Sequence, residues 1–269
     1  MEYFLQHVVN GTNYVTGKQG SPLDFVSHHI YGLSGGWLHS PPTIVPQVSR
    51  FTAELLWMER MLQRHGLMGK VEFHLNEWGV CSNFERTVDK YPQLVYRNNE
   101  FSALFLVKLV DCLYALEDNF KFKTSMLAYW GFCGEASLDR KFAGNRDLVT
   151  GAGIPKPILF AYDMLAKLGK DRLAAEDFYI GSRFARGERF GILPARDDNR
   201  LTFIVYNFNE TDDDLKRNDD ITVNLKNLPP GLNYKWTEIL LDDMNNNNHT
   251  RWKDAGSPDH PTKLTDEFI

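Results

Sequence analysis

As far as residue 171, the chain alternates between short apolar runs and longer segments whose apolar residues recur at spacings of three and four. The short runs predict buried strands, at residues 24–31, 70–77 and 125–132. The longer segments predict helices, along the face Phe51, Leu55, Met58 and Leu62, over 98–116, and from Pro157 to Gly169. This alternation is typical of βα units around a parallel sheet that is covered on both faces.

From residue 172 onward the apolar runs are shorter and are separated by regular turn signals. Four short strands are predicted, at residues 190–195, 201–207, 221–225 and 234–241. An Asp-Asp-Asn turn joins the first two strands, and a Pro-Pro-Gly turn joins the last two. The pattern indicates an all-β module, so we predict two domains, residues 1–171 and residues 172–269.

Composition argues against several classes of partner. The 269 residues are 43% hydrophobic and carry a formal net charge of -5, without the basic cluster that nucleic-acid binding requires. No apolar run reaches the roughly 20 residues of a membrane span. Three cysteines without CxxC spacing argue against a metal site or a disulfide framework, and neither a GxGxxG turn nor a P-loop is present. We therefore expect no metal, no cofactor, no nucleic acid and no membrane among the partners.

The segment His-Leu-Asn-Glu-Trp-Gly at 74–79 holds the most informative carboxylate of the chain, Glu77. It stands at the carboxyl end of a predicted parallel strand, and βα barrels build their active sites at that end of the strands. The alternative is a structural glutamate that forms a salt bridge or caps a helix. Taken alone, this segment leaves both interpretations open.

The other two predicted strands end in groups that suit a sugar. His29 and Tyr31 are two residues apart at the end of the first strand and therefore share a face. Trp130 stands at the end of the third strand, where an aromatic ring can form the floor of a sugar subsite. Each of these residues is also compatible with ordinary packing in the core. Together with Glu77 they favour a carbohydrate as the partner of this chain.

Several motifs, in this order and spacing, resemble glycoside hydrolase family 39, the β-xylosidase and α-L-iduronidase family. Residues 27–31 look like its Ser-Phe-His-x-Tyr strand, and 76–78 look like its Thr-Glu-Trp nucleophile strand. Residues 129–132 are similar to its last barrel strand, and 153–157 with 165–169 to its final helix. Trp252, followed by Gly256, Ser257 and Pro258, resembles a Trp-x-x-x-Gly-Ser-Pro signature in its trailing β-domain.

The resemblance implies a retaining glycosidase built on a (β/α)8 TIM barrel. Residues 1–171 correspond to the C-terminal portion of the barrel, its sixth to eighth strands in about three βα units, and 172–269 to a β-sandwich. Glu77 matches the nucleophile. His29 and Tyr31 are implied to hold the nucleophile or sugar hydroxyls, and Trp130 to face the sugar ring. Glu135 is implied to bind substrate, although Gly134 departs from the family pattern there.

The family places its acid/base in an Asn-Glu-Pro motif, which this sequence lacks. We therefore expect the chain to hold the nucleophile half of an active site and to be incomplete alone. Either a longer protein or a partner chain supplies the missing N-terminal half of the barrel, or two copies associate as a homo-oligomer. An acid/base role for Glu77 is disfavoured, because only one predicted barrel strand follows it.

The substrate is less well defined than the reaction. We expect β-xylosides, because they are the common substrates that the resemblance implies. A uronide would require cations near the sugar carboxylate, and Arg140, Lys141 and Arg146 follow the last barrel strand. These three residues are equally compatible with solvated surface charge. A carbohydrate-binding or interaction module without catalytic activity is the alternative to an enzyme.

Overall fold

The computed structural model describes residues 1–33, 46–82, 87–131, 141–175, 189–210 and 220–258. The helices in these ranges are α1 (Glu2–Asn10), α2 (Val48–Arg64), a 3-10 helix (Pro92–Arg97), α3 (Glu100–Phe120), α4 (Pro157–Ala166) and α5 (Asn248–Asp254). The strands are β1 (Phe25–Leu33), β2 (Glu72–Cys81), β3 (Thr124–Tyr129), β4 (Asp171–Arg172), β5 (Phe190–Asp197) and β6 (Arg200–Asn207). None of the described helices is both long enough and apolar enough to cross a lipid bilayer.

The three βα units predicted from the sequence are present. β1, β2 and β3 form a parallel sheet in that order, with α2, α3 and α4 following the three strands along the chain. The predicted face of α2 is buried, from Phe51 to Leu62, and Gly66 takes a left-handed conformation just after the helix. We call the side of the sheet away from α2 and α3 the inner face.

The ring of Phe105, in the middle of α3, lies at the centre of the core. Its centroid is 6.4 Å from the ring centroids of Phe51 and Trp78 and 6.2 Å from that of Phe208, which follows β6. On the β1 side it touches Gly32, where a Cβ would come within 2.5 Å of the ring. One side chain therefore contacts both sheets and α2, which makes the hydrophobic core continuous between them.

The second sheet is antiparallel and contains β4, β5 and β6 in that order. The predicted hairpin of β5 and β6 is confirmed, whereas β4, which begins at Asp171, was not predicted. The strands predicted at 221–225 and 234–241 are not formed, and regular structure in the described range 220–258 is confined to α5. Alternating polarity favours a strand only where a neighbouring strand can accept its hydrogen bonds. The described residues thus contain one antiparallel sheet and not the two sheets of a sandwich.

A buried polar network attaches the antiparallel sheet to the helices. The Nζ of Lys108, in α3, lies 3.6 Å from Oε1 of Glu210, and both side chains are buried. The Glu210 carboxylate also accepts hydrogen bonds from the backbone N–H (3.2 Å) and hydroxyl (2.7 Å) of Ser49, in the first turn of α2. One turn further along α3, Asp111 accepts a hydrogen bond of 2.7 Å from the Tyr206 hydroxyl. The segment at the end of β6 is therefore held to α2 and α3.

We predict that Glu210→Ala in the native protein lowers the free energy of unfolding by about 3–5 kcal/mol, because it removes one partner of a buried ion pair. Urea denaturation measures this loss. Asp118→Ala is the matched control: it breaks the exposed Arg172–Asp118 pair, and the expected loss is at most about 1 kcal/mol. Equal losses in the two variants would contradict the proposed importance of the buried pair.

Candidate active site

β2 carries one extra residue near its carboxyl end. Ser27 of β1 pairs with His74, and His29 pairs with Glu77, so two steps along β1 correspond to three along β2. The ladder between β2 and β3 shifts at the same place. A single residue inserted into one strand is a β-bulge, which redirects the side chains that follow it.

The bulge determines which side of the sheet Glu77 occupies. Phe73 and Leu75 are buried in the core, and strict alternation would direct Glu77 to the same side. Because Asn76 is the additional, exposed residue, Trp78 enters the core instead and Glu77 lies on the inner face. The sequence carries no sign of this bulge.

On the inner face, both oxygens of Glu77 have neighbours from β1. The Tyr31 hydroxyl donates a hydrogen bond of 2.5 Å to Oε1, and Nδ1 of His29 lies 3.5 Å from Oε2. The Glu77 side chain is 16% exposed and that of His29 is 55% exposed. The carboxylate is thus oriented by its neighbours and still has an accessible side.

The Tyr31 ring lies across β2 because of a glycine. Tyr31 pairs with Gly79 in the ladder, and a Cβ at Gly79 would come within 2.9 Å of the ring. Burial, together with the hydrogen bond to Glu77 and the charge of that carboxylate, raises the pKa of Tyr31 well above its ordinary value of 10.0. The phenol therefore keeps its proton at neutral pH and acts as the donor to Glu77.

Trp130 and Arg146 extend the same surface beyond β3. The Trp130 backbone N–H donates a hydrogen bond of 2.9 Å to the Trp78 carbonyl, and 47% of the Trp130 side chain is exposed. The Arg146 guanidinium carbon lies 5.4 Å from the centre of the Trp130 ring. Its Nη1 donates to the Tyr31 hydroxyl at 3.4 Å. A cation, an aromatic surface and a carboxylate therefore lie along one continuous stretch of the inner face.

The structure brings together Glu77, His29 and Tyr31, and it places Trp130 beside Arg146. Glu135 and Arg140 lie outside the described residues. The interpretation of Arg146 as a solvated surface charge is wrong, because its side chain is buried. Two of its hydrogen-bond partners, Tyr31 and Ser82, stand more than 60 positions earlier in the chain, and local sequence does not reveal such contacts.

In the part of the chain that the structure describes, no cluster of side chains has the composition of a metal site. No three His, Cys, Asp or Glu side chains there are grouped closely enough to hold an ion.

We predict that Tyr31 remains protonated in the folded protein at pH 10, where an ordinary tyrosine is half ionised. The folded state then holds a proton that the unfolded chain releases, so stability falls as the pH rises above about 10. NMR of ¹³Cζ-labelled tyrosine, with Tyr31→Phe to assign the signal, measures the titration. A midpoint near 10 for Tyr31 would contradict the buried hydrogen bond to Glu77.

Comparison with known proteins identifies relatives whose sequence identity to this chain is low but extends over most of its length. Mouse α-L-iduronidase is 22% identical over 274 residues, covering 96% of this chain and 41% of the relative. The beta-xylosidase of Caldicellulosiruptor saccharolyticus is 23% identical over 251 residues, covering 90% of this chain and 45% of the relative. The chain thus spans less than half the length of these curated relatives.

A solved structure shares the fold. The monomeric beta-xylosidase from Caulobacter crescentus CB15 superposes with a TM-score of 0.59 at 20% identity, over 98% of this chain and 50% of that one. In sequence, residues 1–268 match the profile of Glycosyl hydrolases family 39. The match extends over nearly the whole chain, and the chain therefore belongs to glycoside hydrolase family 39.

Proposed function

We propose that this chain carries the nucleophile half of the active site of a retaining glycoside hydrolase. The supporting observation is the arrangement of Glu77 with Tyr31 and His29 at the carboxyl ends of parallel strands, in a member of family 39. In barrel enzymes the catalytic groups are found at this end of the strands. The same sheet is proposed to be the last part of a (β/α)8 barrel, with residues 172–269 as an accessory domain that packs against it.

In the proposed mechanism, Glu77 attacks the anomeric carbon of the bound sugar as a carboxylate. A glycosyl–enzyme ester forms at Glu77 while a second carboxylic acid protonates the departing oxygen. The second group then removes a proton from water, which attacks the anomeric carbon. The bond between that carbon and the Glu77 carboxylate breaks, and the sugar leaves with its anomeric configuration retained. Tyr31 holds Glu77 in one orientation during these steps, because its phenol remains a donor.

The exposed side chains beside Glu77 are proposed to bind the sugar. His29 lies next to the carboxylate and is more than half exposed, so its ring is available to a sugar hydroxyl. Trp130 offers an exposed aromatic face, which suits the C–H surface of a pyranose ring. Glu135 is retained as a proposed substrate ligand on the family pattern alone.

The second carboxyl group is proposed to come from outside this chain. The sequence contains no Asn-Glu-Pro segment, and retaining enzymes need the two carboxyl groups about 5–5.5 Å apart. Among the described strands, β1 and β3 each have one hydrogen-bonded neighbour, so both edges of the sheet are open. Further barrel strands, from a longer form of the chain or from a partner, would cover these edges and bring the missing carboxyl group.

Two substrate classes follow from this site. β-Xylosides remain the first candidate, and one of the relatives is a beta-xylosidase. A uronide is the second candidate, and Arg146 favours it. Its guanidinium lies between Tyr31 and Trp130, where it can pair with a sugar carboxylate.

We predict that an activated 2-deoxy-2-fluoro glycoside forms a covalent adduct with Glu77 in the native protein. Fluorine slows hydrolysis of the ester, so the adduct accumulates and is visible by intact mass spectrometry and peptide mapping. Glu77→Gln should remove the adduct because an amide is a poor nucleophile. Glu72→Gln, at the exposed opposite end of β2, is the matched control and should still be labelled.

Two results would contradict this assignment. One is an adduct that maps to a residue other than Glu77 or that persists in Glu77→Gln. The other is a native protein that binds the saccharide without turnover or labelling, which supports a non-catalytic binding module instead.

We predict that Arg146→Met lowers the preference for aryl uronides over aryl β-xylosides by about 10–100-fold, since a charge-assisted hydrogen bond contributes about 1.5–3 kcal/mol. The ratio of the two kcat/KM values measures this preference. Arg64→Met, which removes an exposed arginine paired with Glu2, should leave the ratio unchanged. An equal loss on both substrates in Arg146→Met would exclude recognition of a uronate by this residue.

A further inference from the structure

The loop between β3 and α4, described from residue 141 onward, is held by buried side chains. Among its described residues, regular structure is confined to an isolated bridge between Val149 and Pro155. Four of its backbone carbonyl groups nevertheless accept hydrogen bonds from side chains on other segments or at its own end. These bonds are Asn98 to Phe142 (2.6 Å), Arg97 to Gly144 (3.2 Å), Lys156 to Asn145 (2.9 Å) and Tyr129 to Arg146 (2.7 Å).

Lys156 is the most deeply buried cation of this set. Its side chain is fully buried, and Nζ donates to both the backbone oxygen (2.9 Å) and Oδ1 (2.5 Å) of Asn145. The Asn145 amide in turn donates to Asp147 at 3.1 Å. A buried ammonium is unfavourable unless its hydrogen bonds are well formed. Asn145 is therefore restricted to a narrow range of positions around Nζ.

The position of Arg146 is restricted as well, because its two neighbours in the chain are Asn145, which Lys156 holds, and Asp147, which the Asn145 amide contacts. Arg146 reaches the inner face through long contacts, with Nη1 at 3.4 Å from both the Tyr31 hydroxyl and the Ser82 carbonyl. Hydrogen bonds of this length are lost with a small further displacement. A small displacement of the Arg146 backbone would therefore break the hydrogen bond between its guanidinium and the Tyr31 hydroxyl.

We propose that Lys156 is a positioning residue of the active site. By fixing Asn145, it holds the Arg146 guanidinium against Tyr31 and Trp130. Lys156 itself is buried beneath the loop and makes no contact with substrate. Its effect on sugar processing rests on the proposed function, whereas its effect on Tyr31 is a property of the protein without sugar.

The first experiment uses ¹⁹F NMR of the native protein labelled with 3-fluorotyrosine, with Tyr31→Phe to assign the signal. Lys156→Met removes the donor and keeps an unbranched side chain. We expect it to shift the Tyr31 resonance in the same direction as Arg146→Met, with no additional shift in the double variant. Lys167→Met removes an exposed lysine just after α4 that pairs with Asp163, and it should leave the Tyr31 resonance unchanged.

A folded Lys156→Met variant with the wild-type Tyr31 resonance would overturn the proposal, even if its melting temperature is lower, since the lysine would then only stabilise the loop. If Lys156→Met does not fold, Asn145→Ala decides the question. It removes Oδ1 and keeps the backbone acceptor, so the ammonium retains a partner. An unchanged Tyr31 resonance in folded Asn145→Ala would equally overturn the proposal.

The second experiment measures kcat/KM on the aryl glycoside that the native protein hydrolyses best. We expect Lys156→Met to lower kcat/KM between about tenfold and 10²-fold, the loss that a misplaced active-site group produces. In the Arg146→Met background the same substitution should have little further effect, because the two residues act in series. Independent, additive losses would overturn the proposal.

The two experiments together distinguish failure of the proposed function from failure of the positioning role. A native protein without glycosidase activity in which Lys156→Met still shifts the Tyr31 resonance would refute the proposed function and leave the positioning role supported.

Discussion

The single residue inserted into β2 is the constraint on which the site depends, because it decides which of two adjacent side chains enters the core. Without the bulge, Trp78 would face outward and Glu77 would be buried beside Leu75. Exposing a buried tryptophan costs about 4–6 kcal/mol, from 150–250 Å² at about 25 cal/mol per Å², and burying an unpaired carboxylate costs several kcal/mol more. Both terms favour the bulged register and thereby place the carboxylate on the inner face.

Core residues pack against the side of the sheet opposite Glu77 and Tyr31. Phe105 packs against Trp78 and against Gly32, which are the neighbours in sequence of Glu77 and Tyr31. The same ring contacts Phe208, which follows β6. Through Phe105, the antiparallel sheet therefore packs against the buried side of the strands that carry the site. A rigid backing of this kind suits a carboxylate and a phenol that must stay 2.5 Å apart.

The sequence was informative where the signal is local and repeated. Apolar periodicity predicted the three βα units and the β5–β6 hairpin, and the spacing of His29 and Tyr31 predicted that they share a face. Sequence patterns did not predict the features that depend on contacts between distant parts of the chain. Alternating polarity does not indicate whether a neighbouring strand is available, so strands were predicted wrongly at 221–225 and 234–241. For the same reason, neither the bulge nor the hydrogen bonds from Arg146 to Tyr31 and Ser82 have a local signature.

We propose Glu77 as the nucleophile of a retaining site whose other half lies outside this chain. A crystal structure of the native protein with a bound sugar tests it most directly, through the distance between the Glu77 carboxyl and the second carboxyl group at the anomeric carbon. We predict a distance of about 5–5.5 Å, with the second group on a residue that does not belong to this 269-residue chain. A separation of about 6.5–9.5 Å, which is typical of inverting enzymes, or a sugar bound away from Glu77 would contradict it.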